Sequence, residues 1–165
     1  MLVSTVNTLR NQIPNTGRNF MTTYEFSHVA QNPNFYHRYP IQFSTTYLGW
    51  SDGGTSFDMA LMKAMTIIAA FIRENTCFNL ITDGLSSFTI NKVNLFNAIL
   101  RRVRRYGCKT CVRCYFIRRC IFCKPPSQFV NLCRRIGAKI ITKTVSQFKA
   151  AFLADQKLAI KFIAK

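Results

Sequence analysis

Five cysteines have the spacing of metal ligands and fall within one short stretch of the chain. They are Cys108, Cys111, Cys114, Cys120 and Cys123. Two thiolates separated by two residues can hold one metal ion, because a tight turn directs both sulfurs inward, and two such pairs complete a tetrahedral zinc site. Either Cys108 and Cys111 or Cys111 and Cys114 can combine with Cys120 and Cys123, and the spacing does not choose. The pattern predicts a zinc-stabilised knuckle, with zinc as the cofactor.

Three other interpretations of these cysteines stay open. Cys108, Cys111 and Cys114 begin a ferredoxin-type motif, but a fourth ligand followed by proline does not come at the usual spacing. Disulfides need an oxidising compartment, and the first ten residues lack the pattern of a secretory signal. The apolar residues between the cysteines, as in Ile121-Phe122, are also typical of an acylated element at a membrane surface.

Arginine is the dominant cation around the cysteines. Guanidinium binds phosphate through two hydrogen bonds and stacks on bases, so this bias favours recognition of a nucleic acid. Aromatic residues lie among the arginines and can stack on unpaired bases, although we expect at least two of Tyr106, Tyr115, Phe116 and Phe122 to form the knuckle's own core. The predicted nucleic-acid contacts are Arg101, Arg102, Arg104, Arg105, Lys109, Arg113, Tyr115, Arg118, Arg119, Arg134 and Arg135.

The positive charge of the chain is unevenly distributed. The first 100 residues contain six Lys or Arg against five Asp or Glu, whereas residues 101–165 contain 17 basic residues and one acid, Asp155. Like charges at this density repel one another, so the segment is expected to bind a polyanion. Nucleic acid is the first candidate partner, an anionic membrane surface is the second, and an acidic face of a host protein is the third.

Nothing in the sequence has the pattern of an active site. The six carboxylates are scattered, the two histidines, His28 and His37, lie in the polar N-terminal region, and no phosphate loop, dinucleotide fingerprint or metalloprotease helix is present. We therefore expect a non-enzymatic protein with no catalytic residues and no small-molecule substrate.

The helices and strands predicted along the chain indicate a small single α+β domain that is mainly helical. We divide it into a loosely ordered or short-stranded region (1–57), a helical core (58–107) and a basic cysteine-knuckle and C-terminal helical region (108–165). The predicted strands are residues 42–48, 77–81 and 138–145. The predicted helices are residues 58–74, which are apolar nearly all round, 91–106 closed by Gly107, 127–136 closed by Gly137, and 146–164.

The longest apolar run is too short to span a bilayer. Met59–Ile72 has 14 residues and includes Lys63, whereas a spanning helix needs about 20. Together with the absence of a signal pattern, this predicts an intracellular protein that is not secreted and that lies in the cytoplasm, the nucleus or both.

The order of apolar helix, arginine run and cysteines resembles the small cysteine-rich nucleic-acid-binding proteins of plant RNA viruses of the carlavirus type. The residues concerned are Arg101-Arg102-Val103-Arg104-Arg105-Tyr106-Gly107 and Cys111-Val112-Arg113-Cys114-Tyr115, within residues 95–126. The resemblance implies a viral accessory protein that binds nucleic acid, RNA in particular, and that suppresses host silencing. In this chain the second cysteine pair comes sooner, and about 40 residues follow it.

Overall fold

The computed structural model describes residues 5, 8–9, 20–23, 34–37, 55–83 and 86–163, and residues 5, 8 and 9 are helical. The strands are β1 (Phe20–Thr23), β2 (Asn34–His37), β3 (Thr55–Ser56), β4 (Thr76–Thr82), β5 (Ser86–Ser87), β6 (Thr110–Arg118) and β7 (Lys139–Thr144). The helices are α1 (Phe57–Ala70), α2 (Ile90–Arg105), α3 (Ser127–Arg135) and α4 (Val145–Ile163). The strand predicted at 42–48 lies outside the described residues.

A parallel three-stranded sheet organises the part of the chain from β4 onward. Its order is β4-β6-β7, and Cys114 in the central strand pairs with Leu80 on one side and Ile140 on the other. Parallel neighbours cannot be joined by a tight hairpin, so α2 connects β4 to β6 and α3 connects β6 to β7. The expected mixture of helix and strand is confirmed. The two alternate along the chain, and β4 pairs with β6 across the boundary that we placed after residue 107.

Three helices cover one face of this sheet. The spacing of Val93, Phe96, Leu100 and Val103 places them on one side of α2, where they pack with α1, α3 and alternate residues of the strands. Helix α1, which we placed in the helical core, contributes Phe57, Leu61 and Ile68 to the same buried cluster.

Helix α4 covers the other face. Successive residues of a strand point to opposite sides, so Cys114 and Phe116 join the three-helix cluster while Tyr115 and Ile117 face α4. There Phe148 and Phe152 pack against the Tyr115 ring at 5.8 and 5.0 Å between ring centroids. A parallel sheet with both faces covered is the usual arrangement for such strands.

The segment predicted as a knuckle contains instead the central strand of the sheet. Cys111 and Cys114 are three residues apart in β6, so their side chains lie on opposite faces and do not form the tight turn that a shared metal ion requires. The physical reason is the apolar and β-branched content of Val112, Tyr115, Phe116 and Ile117, which favours a buried strand. Cysteine spacing alone did not reveal it.

The predicted ends of α2 and α3 are close to those of the structure, whereas the first predicted helix, 58–74, ends at Ala70. Gly107 and Gly137 have φ of +79° and +66°, the left-handed conformation that ends α2 and α3. The amide of Cys108 donates to the carbonyl of Val103 and that of Ala138 to the carbonyl of Cys133, so the last helical carbonyls are satisfied. Among the helices that the structure describes, none combines the length and the apolar character needed to cross a bilayer.

Candidate functional site

The sheet topology gathers most of the predicted cationic residues at one edge. Because β4, β6 and β7 are parallel, α2 and α3 must run back from the carboxyl ends of the strands to their amino ends. The arginines at the ends of both helices therefore lie at the amino edge of the sheet, beside the first residues of β6 and β7. We call this surface the basic edge, and its members are Arg73, Arg101, Arg102, Arg104, Arg105, Tyr106, Lys109, Arg134, Arg135 and Lys139.

The basic edge is stepped. Lys139, at the start of β7, pairs with Arg113, whereas β6 itself begins three residues earlier at Thr110. At about 3.3 Å per residue, the first residue of β7 lies about 10 Å further along the strand direction than the first residue of β6. Asn97 in the middle of α2 donates to the carbonyl of Arg135 at 2.9 Å, so the C-terminal end of α3 lies level with the middle of α2. The end of α3 is therefore displaced in the same direction as the start of β7. The cations of α3 and β7 therefore lie behind those of α2 and β6, and the surface that they form is inclined to the strand direction.

Two contacts hold the front of the basic edge in place. The guanidinium of Arg104 donates to the Thr110 hydroxyl at 3.1 Å, which ties the end of α2 to the start of β6. The guanidinium of Arg73 lies 5.0 Å from the centroid of the Tyr106 ring, a cation–π contact. Tyr106 is 48% exposed, so an aromatic ring lies among the cations and is accessible from solvent. Arg73 follows α1, and no local charge cluster in the sequence indicated it.

Lys109 is fixed by helix α4 rather than projecting freely. Its ammonium donates to the carbonyl of Phe162 at 3.0 Å and lies 5.1 Å from the centroid of the Phe162 ring. Its own amide donates to the side chain of Asn75 at 2.8 Å, next to the start of β4. The C-terminal turn of α4, with Lys161, therefore lies beside the same edge.

The carboxylates of the described residues lie mostly elsewhere. Asp58 accepts from the amide of Thr89 at 2.8 Å, at the start of α2, and Asp83 follows the carboxyl end of β4. Asp155 lies over the sheet face, where it accepts from the Tyr115 hydroxyl at 3.0 Å. Within the described part of the chain, Glu74 is the carboxylate that reaches the basic edge, so positive charge dominates this surface.

Four predicted contact residues are not part of the basic edge. Arg118 and Arg119 lie at the opposite end of β6, and the guanidinium of Arg113 donates to the backbone carbonyl of Asp155 at 2.8 Å under α4. The prediction that Tyr115 contacts nucleic acid is wrong, because its ring is 1% exposed and is covered by α4. Burial and the hydrogen bond to Asp155 raise the pKa of the Tyr115 hydroxyl above its usual value.

The seven cysteines are distributed over four separate places, and Cys108 lies apart from the others just after α2, with its thiol 3.9 Å from the carbonyl of Tyr106. Cys120 and Cys123 form a disulfide in the turn after β6, Cys114 and Cys133 are buried together on the three-helix face, and Cys77 pairs in register with Cys111 on the α4 face. The Cys77 thiol hydrogen-bonds to Cys111 and lowers its pKa to about 6, and the charge of Arg113 acts in the same direction. Within the described residues, no group of three or more His, Cys, Asp or Glu side chains is placed to hold a metal ion.

Comparisons with known proteins supply no relative for this arrangement. No family model matches the chain, and neither a curated protein nor a solved structure is significantly similar to it.

Proposed function

We propose that this chain binds nucleic acid, RNA in particular, by placing phosphates against the basic edge. The observation that carries the proposal is the convergence of two helix ends and two strand starts, which brings six arginines of α2 and α3 to one surface. Arginine offers paired hydrogen bonds to phosphate, so a concentration of exposed guanidinium groups fits a polyphosphate better than it fits a generally acidic protein.

Helix stability alone does not account for so many cations. A helix C-terminus carries roughly half a negative charge, and a cation in its last turn contributes about 0.3–1 kcal/mol. One or two basic residues per helix would satisfy this effect. Helix α2 has four exposed arginines within its last five residues, and a single nearby carboxylate, that of Glu74, offsets only part of their mutual repulsion. Their excess is what a bound phosphate backbone would neutralise.

Recognition is expected to be largely independent of sequence. The cations lie at helix ends and on a slope, and α2 and α3 turn their apolar sides to the sheet. Guanidinium groups placed at helix ends are expected to contact phosphates, which carry no sequence information, more than base edges in a groove. Tyr106 is an exposed aromatic ring among the arginines of this surface and can stack on an unpaired base whatever its identity.

The test compares two matched triple variants that each remove three positive charges. One is Arg101→Gln, Arg102→Gln and Arg105→Gln at the basic edge, which leaves the Arg104 contact with Thr110 intact. The control is Arg119→Gln, Lys124→Gln and Lys143→Gln at the other end of the sheet. Binding of a fluorescent single-stranded RNA is measured by anisotropy for both.

We expect the basic-edge triple to weaken RNA binding by on the order of a hundredfold at moderate salt, while the control stays within a few-fold of the unchanged chain. Equal losses in the two triples would mean that only net charge matters, and the basic edge would then not be the interface. Circular dichroism of each variant checks that the fold is retained.

The wider biological assignment rests on the resemblance to plant-virus proteins. We propose an intracellular viral accessory protein, acting in the host cytoplasm or nucleus and without enzymatic activity, that sequesters RNA and thereby suppresses silencing. Zinc binding by Cys108, Cys111, Cys114, Cys120 and Cys123 also stays a prediction; it requires Cys120 and Cys123 as free thiolates, whereas the structure joins them in a disulfide, and metal analysis of the reduced, purified chain tests it. The interface proposed above depends on the sheet topology and does not require the metal.

A further inference from the structure

A second surface with unusual chemistry lies at the carboxyl end of β6, at the other end of the sheet from the basic edge. The chain turns there between Arg119 and Lys124, and we call this segment the tip loop. Its two central residues, Ile121 and Phe122, are 70% and 92% exposed. A phenylalanine this exposed, next to an exposed isoleucine, is an unusual use of apolar surface, since large apolar side chains are normally buried.

The tip loop is held in shape by its own contacts. A disulfide joins Cys120 to Cys123, and the amide of Cys123 donates to the carbonyl of Cys120 at 3.2 Å. The Arg118 guanidinium donates to the carbonyl of Ile121 at 3.1 Å, so the end of the strand supports the turn from below. Because a reducing compartment disfavours the disulfide, the constraint that matters for an intracellular protein is the pair of hydrogen bonds, which lowers the conformational entropy lost when a partner buries the tip.

Cations flank the apolar tip on both sides. Arg119 precedes it and has 83% of its side chain exposed, and Lys124 follows it and is also exposed. Asp83 lies 4.0 Å from Arg119, but it is itself 62% exposed, and a solvated pair of this kind is weak. The tip therefore has the order cation, apolar pair, cation, on a loop that projects from the body of the protein.

We propose that the tip loop docks this protein on an anionic lipid surface. Ile121 and Phe122 enter the boundary between headgroups and acyl chains, while Arg119 and Lys124 contact the anionic headgroups. This matches the division of a membrane interface into an apolar interior and a negatively charged surface. A pocket on a protein would accept the apolar pair but would not account for a cation on each side of it.

This docking site is separate from the proposed RNA interface. The tip loop lies at the carboxyl ends of the strands and the basic edge at their amino ends, so both can be occupied at once. It also differs from a membrane role for α1, whose apolar residues Phe57, Leu61 and Ile68 are buried against the sheet. The membrane contact is thus assigned to two exposed side chains rather than to a helix.

The experiment places a tryptophan reporter at the tip. Trp50 is the sole tryptophan of the chain, so Phe122→Trp is made in a Trp50→Phe background. A matched reporter, Phe162→Trp, is made in the same background, because Phe162 is half-exposed beside the basic edge. Emission is recorded with vesicles of phosphatidylcholine alone, with vesicles that also contain phosphatidylserine, and with vesicles carrying brominated lipid.

On vesicles containing phosphatidylserine, we expect the emission at position 122 to shift to the blue and to be quenched by brominated lipid, with no change at position 162. Phe122→Ala should weaken vesicle binding about tenfold, the effect of leaving one aromatic side chain out of the apolar phase, and should leave RNA binding unchanged. If the protein sediments with these vesicles while the emission at 122 stays unshifted, the proposal is wrong. A shift at 162 alone would assign membrane binding to the basic edge.

Discussion

At the scale of single residues, the two tyrosines of the arginine-rich stretch have opposite roles. Tyr115 is buried under α4 and donates to Asp155, and its oxygen also accepts from Gln156 at 3.3 Å. Gln156 in turn exchanges two hydrogen bonds of 3.0 Å with Asn79 on the neighbouring strand. Tyr106 lies just past the end of α2 and is accessible from solvent. In the sequence both are aromatic residues among arginines, and only the direction of each side chain separates them.

Substitutions at these two positions should therefore have different effects. Tyr115→Phe removes the hydroxyl from Asp155 and Gln156 and should lower the free energy of unfolding by about 1–2 kcal/mol without changing RNA affinity. Tyr106→Ala should cost about 0.5–1 kcal/mol of stability, the value of its exposed cation–π contact with Arg73, and should weaken single-stranded RNA binding about tenfold, as expected for the loss of one stacking surface. Urea unfolding and anisotropy measure the two quantities. Retained affinity in Tyr106→Ala would argue against base stacking, and Tyr106→Phe serves as the control that keeps the ring.

At the scale of secondary structure, the sequence predicted those features that depend on a few neighbouring residues. The helix ends at Gly107 and Gly137 were predicted closely, because a residue with positive φ is needed there and glycine is the residue that adopts it without strain. Strand β6 was not predicted, because its cysteines have metal-ligand spacing and interrupt the apolar run Val112 to Ile117. Its residues alternate between two apolar faces, so the segment has no polar side by which periodicity could identify it.

The left-handed residue after α2 gives a test of this local reasoning. Gly107→Ala should destabilise the protein by about 1 kcal/mol, because a Cβ at φ of +79° is strained. No atom lies within 4 Å of the added Cβ, so the cost comes from the backbone and not from a clash. For a protein of this size the Tm should fall by about 2–4 °C. Gly107→Asn, which tolerates this conformation better, should lose less. Equal Tm values for all three chains would contradict the assignment of the helix end.

At the scale of the whole molecule, the two ends of the sheet differ in chemistry. The amino end carries the arginines of α2 and α3 and the C-terminal turn of α4, while the carboxyl end carries Asp58, Asp83 and the tip loop. The polarity follows from the parallel topology, in which each helix of a crossover ends at the amino side of the strands. The two proposals together assign RNA to one end of the sheet and a lipid surface to the other.

The electrostatic part of this arrangement predicts a change in salt dependence. For single-stranded nucleic acid, each phosphate contact contributes about −0.7 to the slope of log K against log salt. Removing Arg101, Arg102 and Arg105 together should therefore make the slope shallower by about 2. The slope is measured by titrating RNA at several salt concentrations. The control triple at Arg119, Lys124 and Lys143 should keep the slope of the unchanged chain, and a similar shift in both would show that binding follows net charge alone.

The sequence by itself determined the uneven charge, the apolar periodicity of α2, and the helix ends at Gly107 and Gly137. These features depend on residues that are near one another in the chain. Only the tertiary structure decided which cations share a surface. The order β4-β6-β7 brings Arg104 and Arg134 to the same edge and sends Arg118 to the other, although Arg118 lies between them in sequence. It also separates Cys111 from Cys114 by a sheet, because a strand directs residues three apart to opposite faces. Such relations arise from strand pairing over long distances in sequence, which no local spacing encodes.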